Sequence, residues 1–183
     1  AKATGGTDWI LLADTSQSRN ILDMELEKRL ATTIIEALGP ADRVKVMAYD
    51  MNARPMNNEF EEVSKELLDR TRLFFDSIVP GGATNIAGAL EEASRHINEG
   101  RPCKIILIGD GAATLGENRP GELSDMTARL FGDKRASITT IGVGSSVDTL
   151  LFEEISRRTG GRYHALSSGE DLLAAAIRIV TGL

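Results

Sequence analysis

Asp14, Ser16 and Ser18 stand at alternate positions of the segment Asp14-Thr15-Ser16-Gln17-Ser18, directly after an apolar run at residues 9–13. Alternate residues of a tight turn can aim their side chains at one point, so this spacing gathers one carboxylate and two hydroxyls. A second acid, Asp110, follows a second apolar run, and a further hydroxyl, Thr84, lies in the glycine-rich stretch Gly81-Gly82-Ala83-Thr84-Asn85. Carboxylates joined by several hydroxyls, with no converging His or Cys, make a hard, all-oxygen site. Such a set suits Mg²⁺ or Mn²⁺ and is wrong for structural zinc.

Charge decides how the ligands would share the work. If both aspartates bound a divalent ion directly, its charge would be formally cancelled and it would attract a further acid weakly. If the neutral hydroxyls of Ser16, Ser18 and Thr84 take inner positions and one or both aspartates act through water, the ion stays electrophilic. Mg²⁺ favours about six oxygens, which leaves a position for a carboxylate brought by a partner. The competing local use of the same residues is that Asp14 and Ser16 merely cap the helix that follows.

Elements must carry these residues to one place. Apolar runs bounded by turn signals alternate with stretches of helical period, which indicates βα units folded as a parallel sheet. The patterning predicts strands at 9–13, 43–49, 103–108, 137–143 and 162–165, with a short antiparallel edge strand at 54–57. Helices are expected over 21–38, 61–79, 86–97, 122–131, 150–159 and 171–180, with Thr84 or Asn85 capping the third. In an open parallel sheet, ligands bind at the carboxyl ends of the strands, where Asp14 and Asp110 would both project.

Composition bounds the reading. The 183 residues, 42% hydrophobic and 26% charged with a formal net charge of -6, fit one globular domain and exclude a disordered or disulfide-stapled chain. With 4% aromatic residues, the core must be mainly Leu, Ile, Val and Ala, which suits parallel strands covered by helices. The acidic balance argues against nucleic acid and anionic membrane as partners. Arg157, Arg158 and Arg162 form the one basic cluster, either a docking patch or a solvated helix end. Cys103 is the sole cysteine, so no intrachain disulfide exists, and it reads as a small buried residue. No apolar stretch approaches the roughly 18 residues that span a bilayer, because the C-terminal candidate is broken by Arg178. The chain begins at Ala1 with a polar lead, which gives the expectation of a domain within a longer protein. Its compartment is left open, with an extracytoplasmic or cell-surface setting expected.

Taken together, Asp14-Thr15-Ser16-Gln17-Ser18, Thr84 in its glycine-rich loop and Asp110 in Leu107-Ile108-Gly109-Asp110-Gly111 resemble the metal-ion-dependent adhesion site of von Willebrand factor A domains. All five metal positions are filled. The likeness continues in Ile138-Thr139-Thr140-Ile141-Gly142-Val143-Gly144, similar to the family's fifth strand, and in Thr159-Gly160-Gly161, similar to the turn after its next helix. It covers about residues 8–181. Gln17 stands where the family commonly has Gly, and Arg19 where bacterial members often have Met. A looser resemblance points to the bacterial domain that follows a VIT domain in proteins similar to inter-alpha-trypsin inhibitor heavy chains.

The resemblance implies a Rossmann-like, doubly wound, mostly parallel six-stranded sheet with one short antiparallel edge strand and helices on both faces. It also implies a non-enzymatic, adhesion-type module that holds Mg²⁺ or Mn²⁺ through Asp14, Ser16, Ser18, Thr84 and Asp110 and captures an Asp or Glu of a partner protein. In adhesion-type members the last helix, here 171–180, shifts when the site closes. A co-subunit domain of an ATPase or chelatase complex, or a scaffold with a silent site, would use the same fold differently. Enzyme readings fit less well. A dehalogenase-type phosphatase needs an acid where Ser16 stands, Gly142-Val143-Gly144 is half of a dinucleotide fingerprint, and no G-x-S-x-G elbow accompanies His96 or His164.

Overall fold

The structure is a computed structural model and describes residues 5–17, 20–134 and 136–182. Strand β1 (Asp8–Asp14) is buried along its whole length because it lies between two parallel neighbours, β2 (Arg43–Tyr49) and β5 (Cys103–Gly109). Beyond β5 follow β6 (Ala136–Val143) and β7 (Tyr163–Leu166), both parallel. On the other side β3 (Ala53–Pro55) returns antiparallel along β2, giving the order β3-β2-β1-β5-β6-β7. The strand order reverses direction at β1, which places a crevice at the carboxyl ends of β1 and β5.

Period-two alternation divides the sheet residues between two cores. Trp9, Leu11, Ala13, Val44, Val46, Ile106 and Ile108 pack on one face against α1 (Ile21–Glu36), α2 (Lys65–Ser77) and α6 (Leu172–Thr181). Ile10, Leu12, Met47, Tyr49, Ile105 and Leu107 pack on the other against α3 (Ile86–Arg95), α4 (Pro120–Phe131) and α5 (Thr149–Thr159). The doubly wound α/β class therefore follows directly from the pattern.

Three details differ from the expected elements. A seventh strand, the two-residue β4 (Glu61–Glu62), pairs antiparallel with Arg43 and Val44, so the second helix begins four residues later than the apolar spacing indicates. Its start is set by Ser64, whose hydroxyl accepts the Leu67 N–H at 3.1 Å. The edge strand stops at Pro55 and not at 57, because the Asn57 side chain takes over β2's bonds: Oδ1 accepts from Val46 N and Nδ2 donates to Val44 O. Finally, Lys45 is buried within β2, its ammonium donating to the carbonyls of Asn57 and Asn58. Burial pushes its pKa down against the opposing pull of Glu59 and Glu92.

At the amino ends of the strands, buried Asp8 clamps β1, β2 and the approach to β5. Its carboxylate accepts from Arg43 Nε and Nη2 at 3.0 and 2.8 Å and lies 2.9 Å from Arg101 Nε. Both guanidiniums keep part of their surface in water, so Asp8→Ala should cost about 2 kcal/mol, below the ~3–5 of a fully buried pair. Urea unfolding checks this, and a loss under about 0.5 kcal/mol contradicts it.

Cys103 is buried, and burial, with the Asp8 charge adding to it, pushes the thiol pKa up to about 12. The folded chain thus keeps the thiol neutral while an unfolded chain ionises it near 9.0, so its contribution is intact below pH 9 and lost as pH rises towards 12. Thiol labelling at pH 8 should be blocked in the native chain and become fast on adding denaturant.

Candidate metal centre

The register of β1 against β5 sets the site. Ala13 pairs with Ile108, so Asp14 comes level with Gly109 and Asp110 stands one residue beyond. Asp14 shares its sheet face with Tyr49 and Gly109. A Cβ built at Gly109 would come within 2.9 Å of the Tyr49 hydroxyl, 3.0 Å of Asp14 Cβ and 3.1 Å of Asp14 Oδ2. The missing side chain at 109 is the space in which the Asp14 carboxylate sits. Tyr49 closes the floor by donating its hydroxyl to Ile108 O at 3.3 Å.

Three loops are stitched together above this floor. In the first, Asp14 Oδ1 accepts the Ser16 N–H at 2.8 Å, an Asx turn that folds the chain back over the strand end. The second loop joins it through Gly81 N to Thr15 O at 3.3 Å and Gln17 N to Gly82 O at 3.4 Å. The third joins the second, because Thr84 N donates to Thr114 Oγ1 at 2.9 Å while Thr114 N and Leu115 N donate to Thr84 O. Asp110 begins that third loop with its own Asx turn, Oδ1 accepting from Ala112 N at 2.9 Å. Asp14, Ser16, Thr84 and Asp110 are all buried or nearly so. Ser18, the fifth expected ligand, lies outside the described residues, as does Arg19.

The helix-cap alternative for Asp14 and Ser16 does not hold. Helix α1 is capped by Asn20, whose Oδ1 accepts the Asp23 N–H at 2.8 Å. Likewise Asn85, and not Thr84, caps α3 by accepting from Gly88 N at 2.9 Å. Both caps lie just past the candidate ligands.

Several supporting residues are silent in the spacing alone. The buried Asp50 carboxylate accepts from Arg54 Nη2 at 2.6 Å, and the same nitrogen lies 3.2 Å from Thr15 Oγ1. Asp50 O also accepts from Asn85 N at 2.8 Å, tying the β2–β3 turn to the loop that carries Thr84. Gly111, at φ +75°, turns the third loop where a Cβ would press on Asp148 and Phe152. Of these, Gly111 is marked in the sequence by its place directly after Asp110, and Asp50 only as the start of a polar turn.

The candidate side chains offer oxygen throughout, which fits a hard divalent cation. Among the described residues no three His, Cys, Asp or Glu side chains are grouped to hold a metal ion, so a cation at this edge would depend on the hydroxyls beside its two carboxylates. His96 closes α3 at its far end, 2.9 Å from Glu92, whose carboxyl is held below its usual range by His96 and Arg95. His164 lies in β7, its pKa lowered first by burial and then by Arg178 and Arg162. The basic cluster is a solvated one: Arg157 pairs with Glu154, and Arg158 with Asp125 and Ser124.

Comparison with known proteins agrees with the fold. A family model described as the von Willebrand factor type A domain matches residues 8–165. Inter-alpha-trypsin inhibitor heavy chain H2 of Mus musculus is 24% identical over 171 residues, covering 88% of this chain and 18% of that protein. The chain therefore spans under a fifth of the length of that curated relative. The structure of a von Willebrand factor type A protein from Catenulispora acidiphila superposes with a TM-score of 0.78 at 16% identity, covering 96% of this chain and 43% of that one. Proximal thread matrix protein 1 from the mussel byssus, solved with a zinc-occupied MIDAS motif, superposes with a TM-score of 0.73 at 16% identity over 96% of this chain and 47% of its own.

The space over Gly109 supplies a sharp test. Gly109→Ala forces Tyr49 or Asp14 to move by several tenths of an ångström, so it should destabilise the fold by about 1–3 kcal/mol and weaken divalent-metal binding. Urea unfolding and metal titration of the same variant check it. Unchanged metal affinity would mean that the Asp14 position is not critical.

Proposed function

The chain belongs to the von Willebrand factor type A domain family, and we propose that it is a non-enzymatic, divalent-metal-dependent protein-binding module that captures an Asp or Glu of a partner. The observation that carries this reading is the joining of the Asp14, Thr84 and Asp110 loops at one sheet edge, with their oxygen side chains buried beneath it. Hydroxyls without carboxyl charge are the residues that keep a bound cation attractive to another acid.

In this reading Ser16, Ser18 and Thr84 supply hydroxyl ligands, and Asp14 and Asp110 bind directly or through water. A divalent ion held there supplies an electrophilic position open to an incoming carboxylate. Asp14 holds its own loop through the Ser16 N–H, so one carboxylate oxygen shapes the site while the other faces the Gly109 side. The Asp50–Arg54 pair keeps a charged group beside Thr15 and fixes the β2–β3 turn against the second loop. Mg²⁺ or Mn²⁺ is the proposed cation, and the zinc bound by the mussel protein's motif supports a divalent ion of some kind. An extracytoplasmic or cell-surface setting for the parent protein is part of the proposal.

Calorimetric titration of Mg²⁺ and Mn²⁺ into chelator-treated protein tests the reading. One saturable site is expected, lost in both Asp14→Ala and Asp110→Ala, and a hundredfold excess over Kd should stabilise the intact chain by about 2.7 kcal/mol. No binding to the intact chain, or binding that survives both substitutions, would overturn it.

A further inference from the structure

The edge that carries the candidate ligands is also where the chain leaves apolar side chains in water. Nine large apolar side chains are exposed among the described residues, and all but Leu73 and Ile177 lie in loops or first helical turns at the carboxyl ends of the strands. None lies at the opposite edge. Scattered surface hydrophobes need no explanation, but their confinement to one edge does.

Two of them frame Thr84. Met51, 48% exposed, lays its side chain on Gly82: a Cβ there would meet Met51 Sδ at 2.6 Å, and φ of +72° already reserves the position for glycine. Leu115, 39% exposed, is fixed on the other side by its N–H bond to Thr84 O at 3.1 Å. Val79, 84% exposed, stands two residues before Gly81, whose N–H reaches Thr15 O. The three side chains thus border the hydroxyl ligand loop without taking part in any core.

Charge restricts what can cover them. Among the described residues the same edge holds the carboxylates of Asp14, Asp110 and Asp148, beside two ion pairs that balance themselves, Asp50 with Arg54 and Glu117 with Arg119. A bare edge therefore repels an acidic segment, and a cation-loaded one accepts it.

Resting on the function proposed above, we infer that the occupant of this edge is an extended protein segment whose metal-binding Asp or Glu is flanked by apolar side chains. The carboxylate reaches the metal, and the apolar neighbours cover Met51, Leu115 and Val79. Acidity selects the metal-loaded state, and the flanking residues select the partner.

Two blocked nine-residue peptides test this, each with one central Glu, flanked by Leu in one and by Ser in the other. Titrated into the Mg²⁺-loaded chain, the Leu-flanked peptide should bind about tenfold more tightly, as expected for covering part of the surface of three exposed side chains. The triple variant Met51→Gln/Val79→Gln/Leu115→Gln should erase the difference while Mg²⁺ affinity, measured alongside, stays within about twofold. Equal binding of the two peptides, binding of neither, or a preference that survives the triple variant overturns the inference. Loss of Mg²⁺ binding in the intact chain would instead show that the underlying metal reading fails.

Discussion

The parallel pairing of β1 with β5 is the constraint on which the rest depends. With Ala13 opposite Ile108, Asp14 meets a glycine and Asp110 stands one residue above it. A shift of one residue would turn Asp14 to the other face and bring a side chain into the space that its carboxylate fills. The pairing is strongly specified, because both strands are buried on two faces and each alternate residue belongs to a different core. Hydrophobic sorting along two strands thus places two carboxylates at the sheet edge.

Loop chemistry converts that placement into a site. Asp14 and Asp110 each spend one oxygen on a backbone N–H two residues ahead, so both acids shape their own turns. Backbone bonds then link the three loops, and the caps of α1 and α3 fall to Asn20 and Asn85. The helices thus start beside the edge with caps that use none of the Asp14, Ser16 and Thr84 side chains. The far edge is held separately, by Asp8 between Arg43 and Arg101.

Much of this was legible in the residues. Apolar runs and glycine stops located the main strands and helices, and D-x-S-x-S with Thr84 and Asp110 singled out the edge. What stayed hidden depended on contacts distant in sequence. Asn57 replaces ladder bonds with its side chain, which no periodicity reveals. Glu61 and Glu62 follow the pairing offered by Arg43 and Val44 and leave the helical pattern to begin later. Nothing in the patterning of β2 announces that Lys45 is buried, its ammonium received by the Asn57 and Asn58 carbonyls. Gly109 looks like a strand end, and its role appears only when Asp14 and Tyr49 arrive from neighbouring strands.

The proposed role, a surface that offers a cation to an acid, requires first of all a metal at this edge. The direct measurement is paramagnetic broadening of amide NMR signals as Mn²⁺ is added in small amounts to the chelator-treated chain. Broadening should begin at Ser16, Thr84 and Ala112, whose amides lie in the three stitched loops. Broadening that begins at the exposed acids of the helices, with those three amides unaffected, would contradict a metal centre at this edge.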